Sequence, residues 1–157
     1  MPKVSSLGHV GLYVNDYPRM LDFYTRVLGL TVTDKHPAGV FLSSRPEAEH
    51  HEVVLMEGRD DSQGKLLQQL SFHVESVDEV RRFYQVFKDE NVTIVSTVTH
   101  GNTASIYFLD PDGNRLEVYF TLPANWPQPF SKPIDLEQDA DTILQQVHEL
   151  TFGAAIS

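Results

Sequence analysis

An α+β fold built from two βαβββ modules is what the sequence predicts, and three observations predict it. HVGLYVNDYPRMLDFY (residues 9–24) recurs as QLSFHVESVDEVRRFY (69–84) at a constant offset of 60. Each copy opens with apolar residues at alternate positions, the period of a strand with one face on a core, and then changes to helical spacing. Each copy is followed by three short strand-like runs. A chance match within an ordinary α+β domain is the plainer alternative.

The elements follow in order. Val10, Leu12 and Val14 mark the first strand, and Leu70, Phe72 and Val74 the fifth. The polar joints Asn15-Asp16 and Glu75-Ser76 then cap helices, because short polar side chains satisfy the unpaired N–H groups of a first turn. Met20, Leu21, Tyr24, Val27 and Leu28 form the apolar stripe of the first helix; Val80, Phe83, Tyr84 and Phe87 form that of the second. Gly29 suits the end of the first helix. LTVTDKH, GVFLSS and HEVVLMEG complete module one (about residues 5–58), and VTIVSTV, ASIYFLD and NRLEVYF complete module two (about 66–122). Asp110-Pro111-Asp112-Gly113 is a strong turn signal before the eighth strand. From Pro123 the pattern stops. LPANWPQPFSKPIDL carries four prolines and reads as an extended arm, and QDADTILQQVHEL as a short amphipathic helix, together covering 123–152 of a single domain.

Alternation sorts the faces. Opposite the apolar positions lie His9, Gly11 and Tyr13 on the first strand, and Gln69, Ser71, His73 and Glu75 on the fifth. Ser105 and Tyr107 lie so on the seventh, and Arg115, Glu117 and Tyr119 on the eighth. Curled together, two such sheets would line a polar cup, and polar groups are costly to bury without a use. Taken singly, His9 or Glu117 is more often a surface or satisfied polar residue; matched places in duplicated units favour a functional reading. His36 and His148 read as solvent-facing, and His50 as pointing away from His51.

Composition narrows the function. The 12 Lys and Arg against 22 Asp and Glu give a formal charge of -10, which repels nucleic acid and anionic membranes. There is no Cys, so disulfides and thiolate metal sites are excluded and a metal must sit on His, carboxylate or carbonyl groups. MPKVSSLGHVGLYVND lacks the blocks of a signal peptide, and no apolar run approaches the ~20 residues of a membrane span; the expectation is a cytoplasmic protein.

GHVGLYVNDYPRMLDFYTRVLGL and IYFLDPDGNRLEVYF resemble the vicinal oxygen chelate superfamily, which includes glyoxalase I, fosfomycin- and bleomycin-resistance proteins and type I extradiol dioxygenases. The resemblance covers most of residues 6–121. HHEVVLMEG, THGNTASIYF and PQPFSKPIDL look most like the one-domain extradiol, or catechol ring-cleaving, enzymes. The resemblance implies a divalent metal on two His and one Glu, Fe2+ for ring cleavage, with open positions for a small aromatic or vicinal-oxygen substrate and dioxygen. Carried over by position, His9 and Glu117 are metal ligands, His51 the acid–base residue, and His100 and Tyr107 the groups that hold substrate. A homodimer, using the arm and last helix, is also implied.

The middle ligand departs from that pattern. Five residues before the last apolar position of the fifth strand stands Gln69, as His9 stands before Val14; His73 aligns with Tyr13. The two share a face but are about 13 Å apart along a strand, so only one can serve. The repeat favours Gln69, and a slip of four residues would install His73. An amide carbonyl is a neutral, weaker ligand that suits Mn2+, Mg2+, Zn2+ or Ni2+ about as well as Fe2+. Two rivals therefore stand beside an extradiol-type dioxygenase: a glyoxalase-type isomerase or lyase, and a non-catalytic, resistance-type binder. Against the glyoxalase reading, the Glu it needs on the fourth strand would be Glu57, which lies late, with His51 at the plausible place.

Overall fold

A computed structural model of the chain describes residues 8–60, 62, 67–123 and 130–153. Among the described residues the fold is α+β, with two mixed sheets and three helices, and the chain divides into two compact units, Met1–Leu66 and Leu67–Ser157.

In the first unit, β1 (Val10–Val14), β2 (Thr31–His36), β3 (Gly39–Ser43) and β4 (Val53–Glu57) form a sheet in the order β1-β4-β3-β2. Helix α1 (Tyr17–Asp22) starts where Asp16 Oδ1 accepts the Arg19 N–H at 3.1 Å. It runs into a π-helical turn over Phe23–Val27, where the Leu28 N–H reaches back to Phe23. Thr25 Oγ1 donates to the Leu21 carbonyl at 2.7 Å, a back-bond that competes with the regular ladder. Gly29, at φ +77°, ends the helix as expected. Met20, Tyr24, Val40, Leu42 and Leu55 are all fully buried, each contributing roughly 1.5–3 kcal/mol of transfer free energy.

The second unit repeats this plan and adds to it. β5 (Leu70–His73), β6 (Ile94–Thr99), β7 (Thr103–Leu109), β8 (Arg115–Thr121) and β9 (Lys132–Pro133) form a sheet in the order β5-β8-β7-β6-β9. Ser76 caps α2 (Val77–Asp89), its Oγ accepting the Glu79 N–H at 3.2 Å. Between β7 and β8, Asp110 organises the turn: Oδ1 accepts from the Asp112 and Asn114 N–H groups and Oδ2 from Asn114 Nδ2. Gly113 takes φ +75° there. Helix α3 (Ala140–Phe152) packs on α2. Among the described residues, no helix is long and apolar enough to cross a membrane.

Strand pairing shows how far the repeat extends. The first strands, caps and helix starts of the two units keep the offset of 60, and β1–β4 and β5–β8 are both parallel. A bulge interrupts β2 before Asp34 and β6 before Ser96, at matching places. Register then equates Phe41 with Tyr107 and Val54 with Glu117, so the offset grows as loop lengths diverge. The arm is more than extended chain. Lys132–Pro133 pairs with the free edge of β6, where a proline is tolerated because a donor is dispensable on the outer side. Residues 5–7 of the first expected module, residue 66 of the second and residues 124–129 of the arm lie outside the described residues.

Candidate active site

The second unit carries a row of polar side chains across three strands. Parallel pairing sets Ser71 of β5 beside Glu117 of β8, and antiparallel pairing sets Tyr107 of β7 beside Glu117 on its other flank. Gln69 precedes β5 by one residue, the place that His9 holds before β1. The corresponding row in the first unit is Gly11, Val54 and Phe41, so at these three positions only the second unit carries polar side chains.

Glu117 is the centre of this row. It is 6% exposed, and its Oε2 accepts from Ser71 Oγ at 2.7 Å and Gln69 Nε2 at 2.9 Å. Gln69 Nε2 also donates to Ser71 Oγ at 2.8 Å. Among the described residues, no Lys, Arg or His lies within ion-pair distance of the carboxylate. A buried charge held only by neutral donors is under-compensated, and a cation at this carboxylate would remedy that. The donor chemistry therefore fits a divalent metal. The Gln69 amide lies at the same oxygen, and turning it by half a turn presents its carbonyl instead. His73 does not come to this place: it is paired with Tyr119 along β5–β8, the rings 5.2 Å apart.

Tyr107 and His100 form a second pair. The Tyr107 hydroxyl and His100 Nε2 are 3.0 Å apart, and His100 Nδ1 is 2.8 Å from the Phe130 carbonyl. A carbonyl only accepts, so Nδ1 carries the proton and Nε2 accepts from Tyr107 in the neutral ring. His100 is held where β6 ends, its N–H donating to Thr103 Oγ1 across a turn that Gly101 makes at φ +85°. Burial pushes the Tyr107 phenol up to about 12, with the Glu117 charge and hydrogen bonding to it adding to the effect, while Arg115 and Gln69 oppose it. The Arg115 guanidinium stacks 4.3 Å over the Tyr107 ring.

The first unit brings His9 and His51 together, with ring centroids 4.3 Å apart. His51 also meets the edge of Phe41 at 5.0 Å. His50 does not turn away from His51 as alternation leads one to expect: the two Nδ1 atoms are 2.9 Å apart. Both residues precede β4, where the alternation of a strand has not begun. His50 Nε2 faces Asp34 Oδ2 at 3.7 Å, which favours a proton on Nε2 and makes His50 Nδ1 the acceptor. His51 then donates from Nδ1 and keeps the Nε2 lone pair. Loss of solvation lowers the His51 pKa first, and the neighbouring His9 and His50 rings lower it further, against a smaller opposing effect of Glu49. Lowering favours the neutral, proton-accepting form at neutral pH.

The structure thus groups Gln69, Glu117, Tyr107 and His100 in one unit and His9 with His51 in the other. Among the described residues, no three His, Asp or Glu side chains converge as a metal cluster. Sequence reasoning passed over Ser71 as a partner of Glu117 and His50 as a partner of His51; pairing β5 with β8 in parallel register is the signal that places Ser71.

The glyoxalase/bleomycin resistance protein/dioxygenase superfamily model matches residues 6–118. Biphenyl-2,3-diol 1,2-dioxygenase 3 of Rhodococcus globerulus is 32% identical over 120 residues, covering 71% of this chain and 61% of that protein. The chain spans less than two thirds of the length of the curated relatives it matches. The lactoylglutathione lyase structure from Agrobacterium tumefaciens is 21% identical, with TM-score 0.59, covering 76% of this chain and 96% of that one. The fosfomycin resistance protein of Listeria monocytogenes is 22% identical, with TM-score 0.61, covering 77% and 97%. At such identities these two structures speak for the fold.

Proposed function

The chain belongs to the glyoxalase/bleomycin resistance protein/dioxygenase superfamily, and from that premise we propose that it is a divalent-metal enzyme of the extradiol-dioxygenase type acting on a catechol or related vicinal-oxygen aromatic. The observation that carries this reading is Glu117, a buried carboxylate with only neutral hydrogen-bond donors, abreast of a phenol kept protonated. Glu117 and Gln69 would hold the metal together with His9, whose place before β1 matches that of Gln69 before β5. When bound, the ion supplies Lewis acidity toward vicinal oxygens and, as Fe2+, redox reactivity toward dioxygen.

The chain's own residues have separable tasks in this proposal. His51 accepts a catechol proton at Nε2, its tautomer set by His50. Tyr107, a phenol at neutral pH, turns its single O–H from His100 Nε2 to donate to a developing substrate oxyanion. His100, its Nδ1–H fixed by the Phe130 carbonyl, orients Tyr107 and, once that O–H turns to the substrate, accepts at Nε2 from a substrate hydroxyl. The similarity to a biphenyl-diol dioxygenase makes 2,3-dihydroxybiphenyl and simple catechols the first substrates to test. Protein loaded with Fe2+ under reducing conditions is expected to consume dioxygen and form a yellow ring-opened product. Absence of oxygen uptake and colour across several catechols would sink this reading.

Gln69 favours a second reading. A neutral amide in place of an imidazole suits a metal used only as Lewis acid, as in a glyoxalase-type isomerase or lyase stabilising an enediolate. Turnover with Mn2+, Zn2+ or Ni2+ in the absence of dioxygen separates this reading from the first. Near-stoichiometric ligand binding without turnover would favour the non-catalytic alternative.

A further inference from the structure

We propose that Arg115 is an anion-binding residue at the Glu117–Tyr107 face, and that the substrate is an aromatic bearing a carboxylate as well as its vicinal oxygens. The vicinal-oxygen part rests on the functional reading above; the anion site stands on Arg115 itself. In an acidic chain, Arg26, Arg45 and Arg81 each hold a carboxylate oxygen within 3.1 Å. Among the described residues Arg115 holds none; Arg19 and Arg82 hold none either, but they are exposed whereas Arg115 is half-buried. Its Nε is buried without a hydrogen-bond partner. The two terminal amino groups also lack an acceptor among the described residues, yet they are not buried. The guanidinium is therefore sealed at its stem and open at its end.

Its position is fixed as well. Arg115 is paired with Leu109 across β7–β8, and its guanidinium carbon lies 4.3 Å over the Tyr107 ring centroid. It stands two residues from Glu117 on the same face of β8. Stacking on a ring restrains the planar fork before any ligand arrives, which lowers the ordering cost of binding. A guanidinium end with two parallel N–H groups matches a carboxylate, and leaving it unmatched while partly desolvated is costly. A neutral diol would leave this group without a partner; a carboxylated one would not.

Benzoate, catechol and 3,4-dihydroxybenzoate separate the parts, with dissociation constants measured by calorimetry on metal-free and Mn2+-loaded protein. Wild-type protein is expected to bind 3,4-dihydroxybenzoate tighter than catechol by roughly tenfold to a hundredfold, the range of one charge-assisted hydrogen-bonded pair. Benzoate binds metal-free protein, Arg115→Gln abolishes both effects, and Arg115→Lys retains part of them. Circular dichroism and the thermal midpoint confirm that each variant is folded; a misfolded Arg115→Gln leaves Arg115→Lys and the wild-type preference to decide. Equal affinity for catechol and 3,4-dihydroxybenzoate in wild-type protein, or a preference unchanged in a folded Arg115→Gln, would overturn the anion site. Failure to bind Mn2+ with benzoate binding intact would instead count against the metal reading alone.

Discussion

Tyr107 gives the sharpest physical prediction, because its environment fixes both the sign and the size of an effect. The phenol is 7% exposed and its pKa is pushed from an ordinary 10.0 up to about 12. A raised folded-state value means that folding favours the protonated form. The contribution is fully present below pH 10, where the unfolded chain also carries a protonated Tyr107, and is lost as pH rises from about 10 through about 12. Two tenfold steps correspond to about 2–3 kcal/mol in full, and to about 1.4 kcal/mol at pH 11. Urea denaturation of metal-free protein between pH 8 and pH 11 should therefore show the wild type losing about 1.4 kcal/mol more than Tyr107→Phe. The difference spectrum at 295 nm between the two proteins, recorded while the far-ultraviolet signal remains native, should place the phenolate transition near 12. A Tyr107 transition near 10, or identical pH slopes for the two proteins, would refute the link between burial, Glu117 and the phenol.

Two further perturbations test the scaffold that positions the site. Asp110→Ala removes three hydrogen bonds from a carboxylate that is 4% exposed, leaves their donors unmatched, and should destabilise the protein by about 2–4 kcal/mol in urea denaturation. Ser76→Ala removes the N-cap of α2 and should cost about 1 kcal/mol with little change in metal affinity.

The sequence was most legible where one period dominates. Alternation at Val10, Leu12 and Val14, followed by a cap and an apolar stripe, identifies β1 and α1, and the same marks at offset 60 identify β5 and α2. Loop lengths erase that offset later, so the equivalence of Val54 with Glu117 and of Phe41 with Tyr107 needs the pairing registers. The short edge strand β9 escaped notice because four prolines mask a two-residue pairing. Alternation placed Ser105 and Tyr107 off the core face, but could not tell that both are buried there. His50 meets His51 because strand alternation does not govern residues before β4 begins. The choice between Gln69 and His73 rests on the repeat; the structure sets Gln69 beside Glu117 and His73 beside Tyr119.

Metal affinity measured on four proteins tests the proposed centre most directly: wild type, Glu117→Gln, Gln69→Ala and His73→Ala, titrated with Mn2+ and followed by electron paramagnetic resonance. Glu117→Gln and Gln69→Ala should lose affinity, the former more because it removes the charge, while His73→Ala binds as the wild type does. Loss of Mn2+ binding in His73→Ala with Gln69→Ala unaffected would contradict the proposed centre and move its middle ligand four residues along β5.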